Sequence, residues 1–79
     1  MPLFFFHVRG GTLEAQDTEG SALPDLAAVR AEALSGARSL IAADVLEGRL
    51  SLIDRIDVED EDGDTILTLP FAAAVEQMD

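Results

Sequence analysis

The chain has 79 residues, of which 48% are hydrophobic and 27% charged, and sixteen acidic residues oppose five basic ones to give a formal net charge of −11. This length suffices for one hydrophobic core, so we expect a single domain over residues 1–79. The negative charge argues against direct DNA or RNA binding, because affinity for phosphate backbones comes largely from cationic side chains. The absence of cysteine excludes disulfides and thiolate chemistry.

Two features of the sequence indicate the cellular compartment of the protein. The opening M-P-L-F-F-F-H-V-R is apolar only briefly and lacks a leading basic cluster, so we expect no signal peptide. No apolar run approaches the roughly 20 residues that a membrane-spanning helix needs. Because the lack of cysteine also fits a reducing compartment, we predict a cytoplasmic protein without membrane attachment.

The N-terminal segment predicts a β-hairpin. Residues 3–9 are Phe-rich and then β-branched, and they end at Gly10-Gly11, which favours a two-residue turn. Such a turn places Val8 opposite Leu13 and His7 opposite Glu14. Alternation along both strands then gives one apolar surface, made by Phe4, Phe6, Val8, Leu13 and Ala15, and one mixed surface, made by Leu3, Phe5, His7, Arg9, Thr12, Glu14 and Gln16.

A long helix is predicted after the hairpin. Residues 17–21 have the composition of a turn with an Asx-type start at Asp17, and the helix should begin within two residues of Asp25 and continue to Glu47. Gly48 has the position of a left-handed C-terminal residue. The stripe that faces the sheet has small residues at its centre, and it consists of Leu26, Val29, Ala33, Ala37, Leu40 and Ile41.

A second hairpin is predicted near the C-terminus. Residues 49–54 form a connector whose Leu50, Leu52 and Ile53 should pack over an edge of the core. A two-residue turn at Asp62-Gly63 then pairs Ile56 with Leu69 and Val58 with Leu67, with Asp57, Glu59, Ile66 and Thr68 on the reverse side.

Pro70 ends the last strand, and residues 71–78 could form one or two helical turns. Together the elements predict an α+β fold of ββαββ order. It is an antiparallel sheet of two hairpins with one long helix packed on one face and a possible short C-terminal helix.

The inventory of reactive side chains argues against an enzyme. The chain has one His and no Cys, Lys or Tyr, which disfavours acyl-transfer and Schiff-base chemistry, and nothing predicts a cofactor. His7 could bind a metal or respond to pH, but a cross-strand pair with Glu14 accounts for it without a ligand. We therefore predict a non-enzymatic protein.

Acidic residues cluster around the second hairpin, between Asp57 and Asp64. An EF-hand loop is excluded, because setting Gly63 at the glycine position places Val58 and Leu69 where carboxylate ligands are required. A solvated turn that protects a sheet edge is the favoured interpretation, and a weak divalent-ion site stays open.

The sheet face away from the helix is predicted to contact a partner. Leu3, Phe5 and Ile66 should lie there together, and a small monomer does not usually leave such side chains side by side in water. A second copy is the simplest cover, so we predict a homodimer and a contact set of Leu3, Phe5, His7, Arg9 and Ile66.

Three other interpretations stay open. The first is a monomer with scattered exposed apolar residues. The second is an acidic antitoxin-like or inhibitor protein that neutralises a basic partner. The third is a small metal-binding protein or enzyme that uses His7 and nearby carboxylates.

The chain also resembles a family of short bacterial proteins of unknown function whose members open with M-P-x-[YF]-F-F-H. The resemblance covers nearly the whole chain, although Phe4 stands where Tyr is more common. It implies no activity, cofactor or catalytic residue, and a free-standing short protein suggests a binding or regulatory accessory. The residues that carry it are Met1, Pro2, Phe4, Phe5, Phe6, His7, Asp17, Gly20, Leu23, Pro24, Asp25, Leu26, Arg30, Glu32, Ala33, Asp60, Gly63, Leu69, Pro70 and Phe71.

Overall fold

The computed structural model describes residues 1–11, 14–50 and 52–76, and it confirms the α+β fold. Four antiparallel strands form a sheet in the order β2-β1-β3-β4, so the two halves of the chain meet where β1 pairs with β3. Within the described residues, no helix has the length and apolarity needed to cross a membrane. The elements are β1 (Leu3–Arg9), β2 (Ser21–Ala22), α1 (Leu26–Leu46), β3 (Arg55–Glu59), β4 (Thr65–Pro70) and α2 (Phe71–Glu76).

The core lies between the sheet and the two helices. Val29, Ala33 and Ala37 of α1 are fully buried, and Leu40 and Ile41 pack against the core, as the predicted stripe requires. Leu26, the first residue of α1, is 62% exposed, so its predicted place in the stripe is wrong. Small residues let α1 approach the sheet closely, and a Cβ added to Gly36 would lie 3.7 Å from Cδ1 of Ile56. The other core side chains are Phe4, Val8, Ile56, Val58, Leu69, Phe71 and Ala74.

The bounds of α1 follow from its capping residues, and they confirm the predicted helix. Oδ1 of Asp25 accepts a hydrogen bond from the backbone N–H of Ala28 at 2.8 Å, which satisfies one of the free donors of the first turn. At the other end Gly48 has φ 83°, and the N–H of Arg49 donates to the carbonyl of Asp44 at 2.8 Å. A glycine in this conformation ends the helix.

The predicted two-residue turn at Gly10-Gly11 is wrong. Val8 pairs with Ala15 instead of Leu13, through N···O distances of 2.8 and 3.0 Å, and Thr12 and Leu13 lie outside the described residues. The prediction failed because a contact between distant parts of the chain fixes this region. A Cβ on Gly10, whose φ is 144°, would lie 2.5 Å from Cα of Asp54, so the end of β1 is fixed by the segment entering β3 and not by a local turn.

The strand that pairs with β1 near its start is also not the predicted one. We expected residues 12–16 to form the second strand, but β2 is the short Ser21–Ala22 segment, which pairs with Leu3 and Phe4. Between Ala15 and Ser21 the chain leaves the ladder, since only the Val8–Ala15 bridge joins it to β1 there. Side chains must therefore satisfy part of this edge of β1.

The second hairpin has the predicted pairs, Ile56 with Leu69 and Val58 with Leu67. The N–H of Asp60 donates to the carbonyl of Asp64 at 3.0 Å, so residues 61–63 form the turn, which is one residue longer than predicted. Gly63 is the last residue of this turn and has φ 84°. The register shift between Val58 and Glu59 absorbs this extra residue at Ile66. Ile66 consequently packs against the core, and its predicted place on the reverse side is wrong.

The C-terminal segment forms a helix that belongs to the core. Phe71 and Ala74 of α2 are fully buried, and the N–H of Phe71 donates to the carbonyl of Asp54 at 2.9 Å. The predicted range of 71–78 extends past the observed Phe71–Glu76, and residues 77–79 lie outside the described part of the chain.

Candidate functional site

Polar side chains gather on the sheet face away from α1. The register pairs Phe5 with Glu59, His7 with Asp57 and Arg9 with Arg55, and strand alternation sends these side chains to the same face. We call this group the charged face, and it consists of His7, Arg9, Arg55, Asp57, Glu59 and Thr68.

Asp57 lies at the centre of the charged face and is only 6% exposed. Its carboxylate accepts hydrogen bonds from Nη1 of Arg9 at 3.1 Å, Nε of Arg55 at 3.2 Å and Oγ1 of Thr68 at 3.0 Å. Burial alone would raise the pKa of Asp57, but the hydrogen bonds from Thr68 and Arg9 and the charge of Arg55 outweigh it and lower the pKa below the ordinary 3.8. Asp57 is therefore held as a carboxylate.

His7 is buried, and both of its ring nitrogens have neighbours. Nδ1 accepts a hydrogen bond from the backbone N–H of Asp17 at 3.1 Å, and Nε2 lies 3.3 Å from Oε1 of Glu59. This geometry places the proton of a neutral ring on Nε2, because Nδ1 is the acceptor. The predicted pair with Glu14 is wrong, since the turn is shifted and β3 lies beside His7. A metal ion at His7 would have to displace one of these contacts.

Asp17 ties the irregular segment to β1. Its Oδ2 accepts a hydrogen bond from the N–H of Phe6, and its Oδ1 accepts from the N–H groups of Glu19 and Gly20, all at 3.1 Å. Phe6 pairs with Val58 of β3 on one side of β1, and on the other side the carboxylate of Asp17 replaces the strand partner that Phe6 lacks. These contacts confirm the Asx-type turn. Burial would raise the pKa of Asp17, but the N–H groups of Gly20, Phe6 and Glu19 and the nearby His7 lower it below 3.8.

Gly20 lets residues 17–20 lie close to the Phe5 side chain. It has φ 77°, and a Cβ there would lie 2.8 Å from Cε2 of Phe5. The segment therefore lies against the Phe5 ring, which is half-buried, and the chain itself covers part of the apolar area that we expected a partner to cover.

The comparisons with known proteins decide the family. A family model described as a domain of unknown function, DUF6894, matches residues 3–72. The chain belongs to this family. No curated protein and no solved structure matches it.

Several of the residues that carry the family resemblance have a structural role in this DUF6894 chain. His7, Asp17 and Gly20 form one connected set of contacts with Phe5 and Phe6. Asp25 caps α1. The described contacts of these residues hold the fold together, and none of them requires a ligand.

The five predicted contact residues are not brought together as an exposed apolar face. His7 is 4% exposed, Ile66 packs against the core, and Arg9 is paired with Asp57 and Glu59. Leu3 is 36% exposed and lies beside β2. The role of this set in binding a partner stays a prediction, and its apolar part shrinks to Leu3 and half-buried Phe5.

The acidic hairpin places three carboxylates close together. Oxygen atoms of Asp60, Asp62 and Asp64 lie within 4.8 Å of one another. Oδ1 of Asp60 accepts hydrogen bonds from the N–H groups of Asp62 and Asp64, at 2.9 and 3.0 Å, while the side chains of Asp62 and Asp64 are exposed. This arrangement fits the solvated turn that we favoured, with Asp60 as its internal acceptor.

Four exposed apolar side chains follow one another closely in the chain, at a place where we did not expect them. Val45 and Leu46 at the end of α1 are 54% and 88% exposed, and Leu50 and Ile53 of the connector are 62% and 71% exposed. The prediction that the connector packs over the core is thus wrong for Leu50 and Ile53, and Leu52 is also exposed, at 36%. The sequence contained an indication of this exposure, because residues 45–53 have five apolar residues that do not belong to the predicted core stripe of α1.

Proposed function

We propose that the protein is a non-enzymatic interaction module that acts through self-association in the cytoplasm of a bacterium. The observation that carries this proposal is the exposure of Val45, Leu46, Leu50 and Ile53 within one short stretch of chain. Exposed apolar patches on small domains commonly mark protein interfaces. The absence of cysteine supports the cytoplasmic setting.

The charged face and Asp17 support a non-enzymatic role. A general acid needs a pKa raised towards the working pH, whereas the pKa values of Asp17 and Asp57 are both lowered. His7 and Arg9 are engaged with Glu59 and other groups of the chain. Paired groups of this kind stabilise a structure and leave little free capacity to move a proton on a substrate.

Self-association can be measured on the unmodified protein. We expect sedimentation velocity at about 10 to 300 µM to show a concentration-dependent dimer, because Val45, Leu46, Leu50 and Ile53 expose apolar area that a second copy can cover. Raising the salt from about 0.1 to 0.5 M should not weaken an apolar contact. A strict monomer at every concentration would overturn the self-association.

A second candidate function rests on the acidic hairpin. The adjacent carboxylates of Asp60, Asp62 and Asp64 and the net charge of −11 favour a basic partner, as an inhibitor or antitoxin-like protein would have. Binding to an arginine-rich peptide should then weaken steeply with salt and require the three aspartates. Binding that is unchanged in an Asp62→Asn, Asp64→Asn variant would remove this candidate.

A further inference from the structure

Residues 16–20 form a short stretch of chain that lies over the edge of β1 between two fixed points. Before it, Val8 and Ala15 exchange two backbone hydrogen bonds, and after it β2 pairs with β1. Within the described part of the chain, two hydrogen bonds join residues 16–20 themselves to β1, and both involve Asp17. We call residues 16–20 the Asp17 segment.

One of these two hydrogen bonds requires a neutral His7. The backbone N–H of Asp17 donates to Nδ1 of His7 at 3.1 Å. A neutral imidazole with its proton on Nε2 accepts at Nδ1, whereas an imidazolium carries an N–H on both nitrogens and cannot accept. Imidazoles change charge between about pH 8 and 5. When His7 takes a proton from the solvent at Nδ1, two donors therefore face each other and the hydrogen bond is lost.

Charged groups from several elements surround His7. Carboxylates near an imidazole favour its charged form, whereas burial disfavours it. Protonation can favour an open conformation only through groups whose contacts with the ring change on opening. The titratable groups around the ring are Arg9 on β1, Arg55, Asp57 and Glu59 on β3, Glu14 and Asp17 on the chain after β1, and Asp60 and Glu61 on the turn after β3.

The Asp17 segment is the neighbour of His7 that can move away from it. Glu59, 3.3 Å from Nε2, lies on β3, which stays paired with β1 when the segment opens. The segment itself opposes the imidazolium in two ways, because its N–H faces Nδ1 and because it helps to bury a ring that is only 4% exposed. The Asp17 carboxylate acts in the other direction. Burial raises the pKa of this carboxyl, and among the groups that lower it His7 has the smallest effect.

We propose that protonation of His7 opens the Asp17 segment away from β1, so that the segment acts as a pH-sensitive latch. Asp17 makes both hydrogen bonds to β1, so opening also leaves the N–H of Phe6 to water. It uncovers the Phe5 ring as well, because Gly20 of the segment lies against that ring. The aromatic edge of β1 is thus covered near neutral pH and exposed in mild acid.

Amide hydrogen exchange measured by NMR on the unmodified protein tests the latch, at about pH 7.5 and about pH 5.0. Both values lie above the pKa of Asp17, which is below 3.8. We expect the protection factors of the Asp17 and Phe6 amides to fall at least about fivefold at the lower pH, as for the loss of one hydrogen bond. The amide of Val8, which donates to Ala15 outside the segment, should keep its protection. Ring nitrogen shifts from the same sample report the protonation of His7.

His7→Asn is the matched control. The asparagine oxygen can accept from the N–H of Asp17 and does not titrate, so the dependence of protection on pH should disappear. An equal loss of protection in this variant would assign the opening to another group and overturn the proposal. If the variant does not fold, the ring and amide measurements on the unmodified protein decide.

Three results with the unmodified protein would also overturn the latch. The first is a protonated His7 with unchanged protection at Asp17 and Phe6. The second is a ring that is still neutral at about pH 5.0. The third is loss of protection at Asp17 alone, since a ring that turns while the Phe6 amide stays protected leaves the segment closed.

Discussion

Asp17→Ala should lower the free energy of unfolding by about 2 to 3 kcal/mol, because hydrogen bonds to charged groups are among the stronger ones. The change removes the carboxylate that accepts from the N–H groups of Phe6, Glu19 and Gly20. Phe6 then has no strand partner and no side-chain acceptor at this edge of β1. Urea unfolding followed by circular dichroism measures the loss.

Glu19→Ala is the matched control for this prediction. It removes one negative charge from an exposed residue two positions away, and it keeps the backbone N–H that donates to Asp17. We expect its effect to stay within about 0.5 kcal/mol, as for most surface substitutions. Equal effects of the two substitutions would mean that Asp17 does not tie residues 17–20 to β1.

Phe71→Ala should be more damaging, with a loss of about 3 to 5 kcal/mol. The Phe71 side chain is fully buried and belongs to the core between α1 and the sheet. A domain of this size has a total stability of roughly 5 to 10 kcal/mol, so this loss should lower the melting temperature by more than about 10 °C. Thermal unfolding followed at 222 nm reports the change directly.

Val75→Ala is the control in the same helix. Val75 is 39% exposed, so truncating it should cost less than about 1 kcal/mol. If Phe71→Ala were no worse than Val75→Ala, α2 would not be part of the core, and its place in the fold would be wrong.

The elements that the sequence predicted well are those with local signals. Asp25 and Gly48 bound α1 because capping chemistry acts within one turn of the helix. The pairs Ile56–Leu69 and Val58–Leu67 follow from alternation on both sides of a strong turn dipeptide. The turn itself was one residue longer than predicted, and a bulge at Ile66 restored the pairing.

The features that the sequence did not predict depend on contacts between distant parts of the chain. The end of β1 is set by the close approach of Gly10 to Asp54, and no local pattern around Gly10-Gly11 encodes that contact. The burial of Phe71 depends on the position of α2 against α1 and β4. Helix propensity over six residues is too weak a signal to indicate such a position.

The sequence indicated which residues form the candidate site, but it did not indicate which residues they contact. Alternation correctly placed His7, Arg9, Asp57 and Glu59 on the sheet face away from α1. The partner of His7 could not be found, because the pairing of β1 with β3 was unknown and a shifted turn moved Glu14 away. Asp17 was recognised as a turn residue, but its hydrogen bond to the N–H of Phe6 follows only from the interrupted ladder.

The charged face and Asp17 form a structural network and not a proton-transfer site, if folding lowers the pKa values of their carboxylates. A pH titration of the side-chain carboxyl carbons by NMR measures these pKa values, and we predict that those of Asp17 and Asp57 both lie below 3.8. Because folding lowers these pKa values, their stabilising contribution is full above the unfolded value and is lost as the pH falls through the folded values. A pKa at or above 3.8 for both groups, with stability unchanged below about pH 4, would show that these carboxylates do not stabilise the fold.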